Sequence, residues 1–256
     1  MGIKYRAGLG LSIIAAAWLA ACGGGGSSSS TVIVPVTDSA ISITAAVDSA
    51  ADSRLPCNQG TANTECSLRL YQIMVESFID GDASANFGTG YGTSHHKGDL
   101  QGIINSLDYI KSTGVNAIWL TPIFESAAIA GQDEWANRLD ATGYFASNYF
   151  KIDAHFGSLD QAKTLVDEAH KRGLYVFFDG VFGHHKSNIV ASPTGALPSG
   201  ADNPVSYPGS LAFYQEVATY WIKTLKIDGW RLDQAYQVPT AQWATLRAAV
   251  KQASSE

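Results

Sequence analysis

Two carboxylates in this 256-residue sequence stand where chemistry can be done with them. Asp179 closes the apolar run Leu174–Asp179, and Asp233 closes Gly229-Trp230-Arg231-Leu232-Asp233. Side chains alternate faces along an extended backbone, so Arg231 and Asp233 share one side of their strand while Leu232 points to the other. A carboxylate can attack an electrophile or move a proton according to its charge state, and a guanidinium two residues away favours the charged state. The pair therefore reads either as a fixed, ionised carboxylate aimed at a reacting atom or as a structural ion pair at a strand end.

The elements that must position these groups follow from periodicity. From about Cys57 onward, short apolar runs alternate with longer amphipathic ones: Leu68–Val75, Leu100–Ser112, Val115–Leu120, Leu159–Arg172 and Leu174–Asp179. That is the βαβαβ rhythm of a parallel sheet with crossover helices. A fourth unit adds a helix from about Ser210 to Leu225, a strand over Gly229–Leu232 and a last helix from about Thr240 to Ala253. Lys111-Ser112-Thr113-Gly114 and Lys171-Arg172-Gly173 each place a cation in the last helical turn and a glycine just beyond it, as helix C-termini do. Long insertions at 80–98 and 187–208, and a shorter one around 127–139, follow strands. In a parallel α/β barrel those are the loops that carry the active groups. Asp179 and Asp233 then project from adjacent strand ends into one mouth.

Bulk properties narrow the partners. Lys+Arg 17 against Asp+Glu 23 gives a net charge of −6, which argues against nucleic acid, whose binders present a basic face. The 6 Trp, 11 Tyr and 10 Phe suit protein cores first and flat sugar faces second. Residues 1–22 read as an export signal, with Lys4 and Arg6 in a basic region and an apolar stretch, Leu9–Ala21, shorter than a bilayer span. Leu19-Ala20-Ala21-Cys22 resembles the lipobox of bacterial lipoproteins, in which the cysteine carries a diacylglyceryl group. The expectation is a product exported and lipid-anchored through Cys22 to a bacterial membrane, on its periplasmic or cell-surface side. Residues 23–56 are a Gly/Ser-rich tether and 57–256 the globular part. Cys57 and Cys66 remain, and at this spacing in an oxidising compartment they are a disulfide candidate.

Four stretches resemble the α-amylase family of glycoside hydrolases. The first is Tyr71-Gln72-Ile73-Met74-Val75-Glu76-Ser77-Phe78 with Gly98-Asp99-Leu100-Gln101-Gly102-Ile103; the second is Gly114-Val115-Asn116-Ala117-Ile118-Trp119-Leu120-Thr121-Pro122. The second adds order more than chemistry. The third runs from Gly143-Tyr144 through Ile152-Asp153 and Phe156-Gly157 to Asp179-Gly180-Val181-Phe182-Gly183-His184, and the fourth is Asp228-Gly229-Trp230-Arg231-Leu232-Asp233. The resemblance spans about Leu68 to Pro239. It implies a (β/α)8 TIM barrel of which about the first four βα units are present. It implies that Asp233 is the nucleophile, that Arg231 holds it ionised and oriented, that Tyr144 stacks on the sugar at the cleavage point, that His184 binds hydroxyls of that sugar, and that Asp179 supports the same subsite. The implied activity is hydrolysis of α-1,4-glucosidic bonds in starch or maltooligosaccharides by a retaining double displacement, with two carboxyl groups roughly 5 Å apart. That chemistry requires no cofactor.

The sequence departs from the family in three places. The family's proton donor is a Glu after the fifth strand, yet after Pro239 only helix-like text follows and Glu256 has no apolar run before it. The expectation is a partial product with negligible activity on its own. Gly183 stands where many members have an Asn that binds a structural Ca²⁺, and glycine offers a hard cation no side-chain oxygen. A structural calcium is left open, with Asp80 and Asp82 either a weak alternative pair or a solvated turn. Gln234-Ala235-Tyr236-Gln237 replaces the Lys-His pair of typical α-amylases, a pair that cyclomaltodextrinases and glucan-transferring relatives also lack. An enzyme of that kind is the alternative within the family. Outside it, the competing reading is a lipoprotein that binds glycans through Tyr144, His184 and loop aromatics without cutting them; the Arg231–Asp233 pair counts against it, because binding needs no poised nucleophile. A third reading is a gene fragment with no stable product, since half a barrel exposes apolar surface.

Overall fold

Asp99 starts the first crossover helix. Its Oδ1 accepts a 2.7 Å bond from the Gly102 amide, and its Oδ2 accepts from the amides of Gly81 and Asp82 at 2.8 and 2.9 Å. One buried carboxylate thus caps α1 (Leu100–Ser112) and folds the preceding loop onto it. The computed structural model describes residues 68–87, 97–126 and 141–254. The export signal with Cys22, the tether, Cys57, Cys66, the insertion at 127–139 and Glu256 lie outside the described residues.

In chain order the strands are β1 (Leu70–Ile73), β2 (Ala117–Leu120), β3 (Phe124–Glu125), β4 (Asn148–Ile152), β5 (Tyr175–Gly180) and β6 (Gly229–Leu232). The remaining helices are α2 (Leu159–Lys171), α3 (Leu211–Leu225) and α4 (Thr240–Ser254). Ser158 and Gln161 form a capping box at the start of α2. The glycines expected beyond α1 and α2 adopt left-handed backbone, Gly114 at φ 86° and Gly173 at φ 65°. Helix α3 ends differently, with Lys226 itself left-handed at φ 60°.

β1, β2, β5 and β6 pair side by side, all parallel, in that order. These are the four strand-helix units of the barrel expected from the sequence. β3 and β4 form a separate two-stranded antiparallel sheet that the sequence reading did not anticipate.

The alternation of the parallel strands sorts their side chains. Ile73, Ile118, Leu120, Val176 and Phe178 point outward under the helices and are fully buried there. Trp221 of α3 is the largest side chain in that layer; it lies against Phe124, Phe178 and Tyr220, and its indole N–H donates to the Tyr149 carbonyl at 2.8 Å. On the opposite face the register sets Gln72 beside Trp119, Trp119 beside Phe177 and Phe177 beside Gly229. A Cβ at Gly229 would come within 2.8 Å of the Phe177 ring, so this glycine makes room for the neighbouring ring. That face leads up to the strand ends where the carboxylates stand.

Candidate active site

The β5–β6 register places Asp179 directly beside Arg231. Arg231 Nη1 donates to both Asp179 oxygens, at 2.9 and 3.0 Å, and to Asp233 Oδ1 at 2.7 Å. One guanidinium nitrogen therefore binds both carboxylates at the barrel mouth. The Asp233 amide still belongs to the sheet, donating to the Gly180 carbonyl at 3.0 Å, and the chain turns sharply at Gln234 with φ 40°. Asp233 is thus held by the last ladder bond of its strand, which fixes its backbone while its side chain faces the mouth.

The two carboxylates differ in access. Asp179 is 0% exposed and Asp233 14%. Tyr144 OH and Trp119 Nε1 also donate to Asp179 Oδ2, at 2.9 and 3.1 Å. Trp119 in turn lies under the Arg231 guanidinium, 4.7 Å from ring centroid to Cζ. β2, expected to contribute order rather than chemistry, therefore contributes a donor and a cation–π face to the site. Burial pushes the Asp179 carboxyl above its ordinary range, while the bonds from Arg231, Tyr144 and Trp119 pull the other way. Arg and Trp only donate, so this cage suits the ionised carboxylate, and with the side chain fully buried it is closed to an incoming ligand. Tyr144 keeps its proton: burial, and then the Asp179 charge, raise its hydroxyl far above the ordinary phenol value. Asp233 is the carboxylate of the pair that a ligand can reach.

His184 completes the set. It is 2% exposed; Nε2 lies 3.2 Å from the Tyr144 carbonyl and Nδ1 3.3 Å from Gln237 Oε1. Its own carbonyl is held by the hydroxyls of Tyr149 and Tyr214, at 2.7 and 3.1 Å. All five residues singled out from the sequence, Tyr144, Asp179, His184, Arg231 and Asp233, are thus joined in one hydrogen-bonded chain. Asp80 and Asp82 are not part of it: Asp82 Oδ1 accepts from the amide and hydroxyl of Ser84, a local turn that lowers its pKa. Among the described residues no group of three or more His, Cys, Asp or Glu is arranged to hold a metal. The place where the family's structural Ca²⁺ would draw on residue 183 does not fit a cation either. A Cβ on Gly183 would lie 2.1 Å from Gln237 Oε1, so the space is filled by an amide.

Comparison with known proteins places this geometry. The α-amylase catalytic-domain family matches residues 72–192. The cyclomaltodextrinase of Thermoanaerobacter pseudethanolicus is 33% identical, over 73% of this chain and 38% of its own length. The intracellular maltogenic amylase of Bacillus subtilis is 31% identical, over 70% of this chain and 35% of its own. The chain belongs to the α-amylase family. Among solved structures of related proteins, AmyP in complex with maltose is 71% identical with a TM-score of 0.72, covering 73% of this chain and 38% of that one. An Anoxybacillus α-amylase is 32% identical with a TM-score of 0.61, covering 73% of this chain and 45% of that one. This α-amylase-family chain therefore spans about 38% of the length of the first relatives it matches. It carries about the first four βα units of the family's (β/α)8 barrel.

Proposed function

We propose that this chain supplies the nucleophile side of an α-glucan hydrolase that cuts α-1,4 links with retention of configuration. The observation that carries the reading is the Arg231 bridge between a caged Asp179 and an accessible Asp233. Asp233 attacks the anomeric carbon as the bond to the leaving oxygen breaks, giving a glycosyl ester, and water then cleaves that ester. Arg231 aims the carboxylate through a charge-assisted bond. Tyr144 and His184 hold the sugar, and Asp179 fixes Tyr144 and Arg231 rather than reacting, because it is fully buried behind them. The leaving oxygen needs a separate carboxylic acid, a role we assign to a Glu after a fifth barrel strand.

The test uses the chain extended to the length of its relatives. Incubated with maltooligosaccharides, it is expected to release reducing ends whose first-formed anomer is α, as seen by proton NMR; β as the first-formed anomer would rule out the double displacement. A second reading is favoured by Gln234–Gln237 together with the cyclomaltodextrinase and maltogenic amylase relatives. It is a preference for short or cyclic maltodextrins, or transfer between them, over starch. Faster turnover of starch than of maltotriose and a cyclodextrin would exclude that preference.

We further propose that the enzyme is exported and tethered by lipid on Cys22, as the Leu19-Ala20-Ala21-Cys22 sequence and the Gly/Ser stretch after it support. Cys22→Ala is expected to move the protein from the membrane fraction to the soluble one. Equal membrane recovery of both forms would remove the lipid anchor from the account.

A further inference from the structure

Gly183 and Gln237 are fitted to one another. A Cβ at Gly183 would meet Gln237 Oε1 at 2.1 Å and Gln237 Cβ at 2.6 Å, so any side chain at 183 evicts the amide. From that position Gln237 Nε2 donates to Asn203 Oδ1 at 2.9 Å while Oε1 faces His184 Nδ1 at 3.3 Å. The amide thus joins three segments: the turn after Asp233, the loop after β5, and the insertion at 187–208. The last two are already sewn together by their backbones. The Val205 amide donates to the Gly183 carbonyl, and the His185 amide to the Asp202 carbonyl, both at 2.9 Å. Gln237 brings the third segment, the one that carries Asp233, to the same point.

The electrostatics of this junction are those of a neutral tie. A bound Ca²⁺ takes roughly six to eight oxygens at about 2.3–2.6 Å. Here Asn203 Oδ1 is committed to the Gln237 NH2, and residue 183 has no side-chain oxygen to give. The nearby carboxylate, Asp202, is itself engaged, accepting from Ser187 Oγ at 2.8 Å and lying 3.9 Å from His185 Nδ1.

We propose that the Gln237 amide takes the place of a bound cation in tying these three segments together, that Gly183 is the residue that admits it, and that Gln237 is thereby the positioning residue for the His184 ring. Gln237 Oε1 and the Tyr144 carbonyl both only accept, so Gln237 holds the ring when Nδ1 carries the proton. In that tautomer Gln237 Oε1 fixes the ring through its Nδ1–H. The inference does not depend on what Asp233 does.

The test compares the 256-residue chain with its Gln237→Met and Gly183→Ala variants by thermal melting and by the ¹⁵N signals of the His184 ring, each with EDTA and with excess calcium. For the wild-type chain, the His184 signals are expected to be the same in EDTA and in calcium. Gln237→Met, which keeps the volume and loses both polar contacts, is expected to melt about 2–6 °C lower, to shift the His184 signals, and to regain neither with calcium. Gly183→Ala, which evicts the amide, is expected to shift the same signals in the same direction. His184 signals that move on chelation and return with calcium would overturn the proposal, and so would a Gln237→Met chain whose His184 signals match the wild type. Should Gln237→Met fail to fold, the chelation comparison on the wild type and the Gly183→Ala signals still decide.

Discussion

Asp233→Asn, made in the chain extended to the length of its relatives, is expected to lose about four orders of magnitude or more in kcat, some 5 kcal/mol of transition-state stabilisation. The amide keeps the shape of the carboxylate and can still accept from Arg231, but it carries no charge with which to attack an anomeric carbon. Because Asp233 is partly open to solvent and takes one bond from Arg231, the fold loses only the difference between a charge-assisted and a neutral hydrogen bond, about 1 kcal/mol. Activity measured beside a melting curve separates the two effects. An Asn variant that retained more than about a tenth of the parental kcat would remove Asp233 from the chemistry.

Arg231→Met is expected to damage fold and activity together. It strips the guanidinium from Asp179, which is fully buried, and from Asp233 at once. Breaking one partner out of a buried ion pair costs about 3–5 kcal/mol, because the other charge stays behind uncompensated. The loss depends on pH in a definite direction. Burial already raises the Asp179 carboxyl, and Arg231 is the largest influence opposing that rise, so its removal raises the folded-state pKa further. A carboxyl raised in the folded state penalises folding once pH climbs above its unfolded value, near 4, and the penalty grows until the folded value is passed. The stability gap between Arg231→Met and wild type should therefore be widest at neutral pH and close as pH falls toward about 4. Urea unfolding across that range checks it; a gap that stays constant would show that Asp179 is not the charge Arg231 compensates.

The parallel sheet was legible because its signals are local. Period-two and period-3.6 runs set the strands and helices, and Gly114 and Gly173 marked two helix ends that do occur with left-handed backbone. α3 and β6 end at Leu225 and Leu232, where periodicity put them, although no glycine marks either end: Lys226 and Gln234 take up left-handed backbone there. The small β3–β4 sheet was missed because one partner is only two residues long and its pairing reaches across more than twenty residues of sequence. The alternation of Asn148-Tyr149-Phe150-Lys151-Ile152, rich in aromatic and branched residues, is a signal that could have found the other partner. In the site, Arg231 and Asp233 were set together by strand alternation alone. Trp119 needed the register between β2 and β5 to show that it rises on the same face as Asp179. Gln237 needed three loops to meet at one point, which no single stretch of sequence encodes.

In the proposed double displacement Asp233 forms the covalent bond to the sugar. The most direct measurement is to react the length-extended chain with a slow maltosyl fluoride carrying a ring fluorine, stop it with acid, and map the tryptic peptides by mass spectrometry. Asp233 and Asp179 fall in different peptides, Leu232–Arg247 and Gly173–Lys186, because Arg231 and Lys186 are cleavage points. One glycosyl increment is expected on Leu232–Arg247, with fragmentation placing it at Asp233. An increment on Gly173–Lys186, or turnover of the fluoride with no labelled peptide when the intermediate should persist, would contradict it.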